Sequence, residues 1–117
     1  MIVDNRAELR MLLATTLESD DLELVEAANG ADALELARHA HPDLVIMEPI
    51  LPGLDGWQVC ATLKHDPATK DISIVMLSGH TQETDKRHGK DVGADDYYVK
   101  PFSPRELLIK VYDILHL

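Results

Sequence analysis

The chain has 117 residues, with 21 Asp and Glu against 11 Lys and Arg, for a formal net charge of -10. That length supports one hydrophobic core and predicts a single domain over residues 1–117, while the acidic surplus repels phosphate backbones and anionic lipid and so argues against direct nucleic-acid binding or membrane attachment. Apolar runs of about five to seven residues fall far short of the roughly 20 needed to span a bilayer, and the N-terminus has no basic or signal-like stretch; the single cysteine, Cys60, excludes an internal disulfide and suits a reducing cytoplasm.

Two periodicities alternate along the chain, which predicts an α/β class with a parallel sheet. Short apolar runs at Met1 to Val3, Leu22 to Ala27, Leu44 to Met47, Ile72 to Leu77 and Tyr97 to Val99 are read as five strands buried on both faces. Between them, apolar residues recur at helical spacing: Leu9, Leu12, Leu13 and Leu17, then Leu34 and Ala37, then Val59, Cys60 and Leu63, and finally Leu107, Leu108, Val111, Ile114 and Leu115. Asn29-Gly30 and Ser103-Pro104 supply helix starts, and His65-Asp66-Pro67 a helix stop. From Gly79 to Asp91 there is no apolar side chain, and Gly89 lowers helix propensity by about 1 kcal/mol. A fourth helix there is expected to be marginal, either a solvated helix or a surface ordered by a partner.

In an open parallel sheet, chemistry sits beyond the carboxyl ends of the strands. Asp4-Asn5 follows the first strand, Glu48 ends the third, Ser78-Gly79 the fourth, and Lys100 follows the fifth. Two acidic side chains, a hydroxyl, a backbone N–H beside glycine and an ammonium on one rim suit a divalent cation and a phosphoryl group.

Together with these, Val25-Glu26-Ala27-Ala28-Asn29-Gly30, Pro42-Asp43-Leu44-Val45-Ile46-Met47-Glu48, Leu51-Pro52-Gly53-Leu54-Asp55-Gly56-Trp57 and Gly93-Ala94-Asp95-Asp96-Tyr97-Tyr98-Val99-Lys100-Pro101-Phe102 make the chain closely resemble the receiver domain of two-component response regulators, the CheY-like family. The resemblance implies a flavodoxin-like (βα)5 sandwich of strand order 2-1-3-4-5, here without an output domain. In such proteins an aspartate at the end of the third strand accepts a phosphoryl group from a histidine kinase with the help of Mg2+. Carried over, the acceptor position is Glu48; the metal positions are Asp4, Asn5, Glu48 and the backbone carbonyl of Ile50. The switch hydroxyl falls on Ser78, the switch aromatic on Tyr97, and the phosphate-pairing lysine on Lys100.

The chain departs from that pattern at neighbouring positions. Asn5 replaces a carboxylate, which predicts weak or absent Mg2+ binding. Glu48 moves its carboxylate outward by roughly 1.5 Å, enough to disable chemistry that depends on positioning, and Pro49 removes a backbone N–H beside the site. Glu48 fits a naturally divergent receiver, a deliberate replacement or a working acceptor, and the accompanying Asn5 and Pro49 favour the first. It is expected to point toward Ser78 and Lys100 and to imitate part of an activated state with a smaller charge.

The leading reading is therefore a non-catalytic, cytoplasmic pseudo-receiver. It would bind a histidine kinase or a downstream protein through the face formed by the expected fourth helix, fifth strand and fifth helix. An active, Mg2+-dependent phosphotransfer receiver is the alternative, and a hydrolase with Glu48 as nucleophile lacks a second general base. The six histidines lack the grouping of a structural zinc site; His80, near Ser78, lies where the resemblance places the site entrance. Trp57 and Leu54 are read as packing, and Cys60 as a small apolar filler.

Overall fold

The structure, a computed structural model, describes residues 1–79, 90–100 and 103–117. Among these, strands and helices alternate: β1 (Ile2–Val3), α1 (Ala7–Leu17), β2 (Glu26–Ala27), α2 (Gly30–Ala40), β3 (Leu44–Met47), α3 (Gly56–His65), β4 (Ser73–Ser78), β5 (Asp96–Val99) and α4 (Pro104–Leu115), the helix that the sequence places last. The expected fourth helix falls largely on residues 80–89, outside the described residues, as does His80.

The sheet is parallel throughout, in the order β2-β1-β3-β4-β5. Its register explains how one sheet serves two cores. Ala27, Val3, Met47, Met76 and Tyr97 stand in one cross-strand row and pack with Ala33, Ala37, Val59, Cys60 and Leu63 of α2 and α3. The row one residue earlier, through Ile2, Ile46 and Val75, faces the other way and packs with Leu13, Leu17, Leu107 and Val111 of α1 and α4. The alternation of side chains along each strand thus sorts the apolar residues into two layers.

Local chemistry fixes where each helix begins. Asn29 caps α2 by accepting from the Asp32 N–H at 2.8 Å. Asp55 and Gln58 form a reciprocal capping box on α3, with contacts of 2.9 and 3.1 Å. Ser103 caps α4 ahead of Pro104 at its first position. Gly30 must be glycine, because a Cβ there would collide with the carbonyl of Leu54.

Three expectations are corrected. β1, β3 and β4 are buried, but β2 and β5 are edge strands and only half covered. Of the run Leu22 to Ala27, only Glu26–Ala27 is strand; Leu22, Leu24 and Val25 are partly buried packing. Leu12 is 50% exposed, since Leu13 and Leu17 already define the stripe of α1 that meets the sheet. Trp57 and Cys60, by contrast, are buried as the sequence suggests.

Gly30→Ala is expected to lower stability by about 1–3 kcal/mol, read as a lower urea midpoint. Gly53→Asn, at a left-handed turn with open space around it, should change stability by no more than about 0.5 kcal/mol. Cys60 is fully buried, and burial pushes its thiol up to about 12, so maleimide labelling of Cys60 should be slow in the folded protein and rise steeply across the urea unfolding transition.

Candidate functional site

Because Val3 and Met47 are paired in register, the residues that follow them, Asp4 and Glu48, emerge side by side at the carboxyl edge. The sheet hydrogen bonding continues through both: the Asp4 N–H donates to the Ala27 carbonyl at 3.2 Å and the Glu48 N–H to the Val3 carbonyl at 2.9 Å. Asp4 is 2% exposed and Glu48 7%. Two carboxylates so withdrawn from water require positive partners.

Lys100 is one. Its N–H donates to the Ser78 carbonyl at 2.7 Å, extending the β4–β5 pairing past Val99. Tyr97 is level with Met47 across the sheet, so Lys100 stands two residues, or about 6.6 Å of strand rise, beyond the level of Glu48. The long lysine stem reaches back over that gap. Lys100 Nζ donates to Glu48 Oε2 at 2.7 Å and to Asp4 Oδ2 at 3.2 Å.

Arg6 is the other, and sequence reasoning missed it. Asp4 Oδ1 accepts from the Arg6 backbone N–H at 2.9 Å and from Arg6 Nε at 3.3 Å, while Arg6 Nη2 donates to Asp4 Oδ2 at 3.3 Å. The same Nη2 lies 3.7 Å from Glu48 Oε2. Arg10 Nη1 donates to the Asp4 carbonyl at 2.7 Å, and Arg10 Nε pairs with Glu26 at 3.4 Å. A signal was available in the sequence: Arg6 immediately precedes α1, where the helix dipole disfavours a cation, so a basic residue there needs a reason from elsewhere in the fold.

Glu48 Oε1 turns back on its own loop and accepts from the Ile50 N–H at 3.0 Å. That bond spans Pro49, which has no N–H to offer. The Pro49 carbonyl accepts from the Gly56 N–H at 2.8 Å, and a Cβ on Gly56 would lie 2.6 Å from the Glu48 carbonyl oxygen. Close packing of the α3 start on this loop therefore fixes where Glu48 stands.

The structure brings Asp4, Glu48 and Lys100 together and leaves Asn5 exposed and outside their hydrogen bonding. The Ile50 side chain is 53% exposed, and its N–H is committed to Glu48. Ser78 is fully buried at the end of β4. Tyr97 stacks on Trp57 with ring centroids 6.2 Å apart and planes within 3°. Glu48 thus points to Lys100 as expected, and also to Ile50 and Arg6.

Burial raises the Asp4 pKa, but hydrogen bonds from the Arg6 side chain and N–H, together with Lys100, outweigh it and hold the carboxyl below its ordinary value of 3.8. The donors present do not fit a divalent cation well. Asp4 already accepts four hydrogen bonds, which fills its four lone-pair positions. Among the described residues, no group of three or more His, Cys, Asp and Glu is placed to hold a metal.

A doubly wound parallel sheet with an acid pair and a lysine at its carboxyl edge defines a receiver-type α/β domain. The chain belongs to the response regulator receiver domain family, whose model matches residues 1–112. It is 41% identical over 115 residues to the phosphate regulon transcriptional regulatory protein PhoB of Pseudomonas aeruginosa, covering 98% of this chain and 50% of that protein. It is 37% identical to the transcriptional regulatory protein ResD of Bacillus subtilis, covering 98% of this chain and 47% of that one. The chain therefore spans about half the length of these curated relatives. Among solved structures, chemotaxis protein CheY4 of Vibrio cholerae superposes with a TM-score of 0.89 at 31% identity, covering 97% of this chain and 94% of that one. A two-component response regulator from Clostridium difficile gives 0.90 at 27% identity, covering 98% and 93%. The fold, the strand order and the family are those expected from the sequence.

Since the native pKa of Asp4 lies below its unfolded value, its charge contributes stability that is complete above pH 3.8 and is lost as pH falls through the native value. Urea unfolding of the protein and of Asp4→Asn, followed from neutral pH down to about pH 2, should show a gap in stability that is constant above that window and closes within it. A gap that widened in acid would contradict the arrangement.

Proposed function

We propose that this receiver domain carries a permanent negative charge where its family takes a reversible one, and that it signals through protein contacts without being phosphorylated. The observation that carries this reading is the 2.7 Å contact between Glu48 Oε2 and Lys100 Nζ. By the family resemblance, Lys100 is the residue that pairs with the phosphoryl group; here a carboxylate of the chain itself already holds it. Glu48 supplies one charge where a phosphoryl group supplies nearly two, so the state it imitates is a partial one.

In this reading Asp4, Glu48, Ser78 and Lys100 form the site, and Tyr97 is the aromatic that responds to it. The domain performs no turnover, binds Mg2+ weakly, and works in the cytoplasm. Its partner is a histidine kinase or a downstream signalling protein. Docking uses the face of β5 and α4; the expected fourth helix, which the sequence adds to that face, lies largely outside the described residues.

Incubation with a small acyl phosphate and Mg2+ tests the reading. Intact-mass spectrometry should find the protein unmodified under conditions that fully label a receiver with aspartate at the acceptor position. A stoichiometric phosphoryl adduct mapped to Glu48 would instead establish a working acceptor.

A further inference from the structure

We propose that Arg6 is the resident cation of this site: its guanidinium bridges Asp4 and Glu48 and thereby excludes a divalent metal ion from the acidic cleft. This deepens the function proposed above, but it concerns metal selection alone and stands or falls separately from whether Glu48 accepts a phosphoryl group.

The first support is valence. Arg6 supplies three of the four hydrogen bonds on the Asp4 carboxylate, through its backbone N–H, Nε and Nη2, and Lys100 supplies the fourth. A metal ion could bind Asp4 only by displacing one of these donors. The second is charge. Asp4 and Glu48 contribute two negative charges and Arg6 and Lys100 two positive ones, so the charges of the described residues in the cleft balance within a chain of net charge -10. A divalent ion gains little from a cleft already neutralised, and Asn5 adds no charge to attract it.

The third support is that Arg6 competes from within the chain. It lies two residues from Asp4 and is fastened to it by its own N–H, so its guanidinium competes for the carboxylate as an intramolecular partner, without the entropic cost of capturing a free ion. Arginine also suits the task better than lysine. Its planar fork places Nε on one oxygen of Asp4 and Nη2 on the other. Arg6 makes no side-chain capping bond at the start of α1, where its charge is locally unfavourable; the ion pairs offset that conflict. At 54% exposure, its removal should open the cleft without hollowing the core.

Mn2+ binding followed by electron paramagnetic resonance, and thermal unfolding with and without Mg2+, should be measured on the protein, on Arg6→Ala and on Arg6→Gln. The protein should show weak Mn2+ binding and no appreciable Mg2+ shift in Tm. Either variant should bind one Mn2+ about tenfold more tightly or better, and Mg2+ at about ten times its Kd should raise that variant's Tm by roughly 5 °C. The glutamine variant keeps most of the side-chain volume and serves if the alanine variant does not fold. Equal metal affinity in the protein and its variants overturns the proposal, whether that shared affinity is strong or negligible.

Discussion

Burying two carboxylates at the ends of neighbouring strands obliges the rest of the carboxyl edge to supply positive charge, and the surrounding structure answers that demand. Lys100 reaches Asp4 and Glu48 from a strand that enters the sheet late in the chain, joining residues 96 and 52 positions apart. The β4–β5 register, extended by the Lys100 N–H to the Ser78 carbonyl, sets the point from which the lysine reaches. Removing one member of such a set leaves an uncompensated buried charge, which is far costlier than losing an exposed pair. The first strand, the third strand and the end of the fifth are thus bound by ion pairs in addition to their sheet hydrogen bonds.

Much of this was legible in the sequence. Apolar runs of strand length separated by helical spacings led to the parallel sheet, the resemblance to receiver domains supplied its strand order, and the helix starts at Asn29 and Ser103 lie where their capping side chains act. Asp4, Glu48 and Lys100 could be grouped because strand ends in a parallel sheet must share one rim. What stayed hidden depended on rotamers and competition. Nothing in local spacing says that the Arg6 side chain turns onto Asp4 instead of into solvent, or that Asn5 turns away. The extent of β2 was overestimated because an apolar run says that residues are covered, not that they are hydrogen-bonded; at a sheet edge the two differ. Leu12 was misplaced for a related reason: four leucines in α1 exceed what one helix face can bury against the sheet.

The loop that follows β3 shows how a departure from the family pattern can be accommodated at the backbone. Proline at position 49 withdraws a donor, and the longer Glu48 side chain reaches past it to the next N–H, that of Ile50. An aspartate, shorter by one methylene, would meet that geometry differently. Glu48 and Pro49 therefore read as adjusted to one another. Asn5 and Arg6 stand together at the first strand in a similar way: Asn5 brings no carboxylate, and the guanidinium of Arg6 lies against Asp4 and Glu48.

The stack of Tyr97 on Trp57 favours the tyrosine rotamer that makes it. Parallel aromatic pairs of this separation contribute about 0.5–1.5 kcal/mol beyond their buried area, which weights the stacked rotamer of Tyr97 by roughly two- to twelvefold over one that leaves the tryptophan. Trp57 directly follows Gly56, whose N–H is tied to Pro49 beside the acidic cleft. The tilt of the loop carrying Glu48 therefore bears on how closely the two rings meet. A shift of a few tenths of an ångström in that loop would change how far the two rings overlap, so the aromatic contact ties the position of Glu48 to the side chain of Tyr97 by a graded amount.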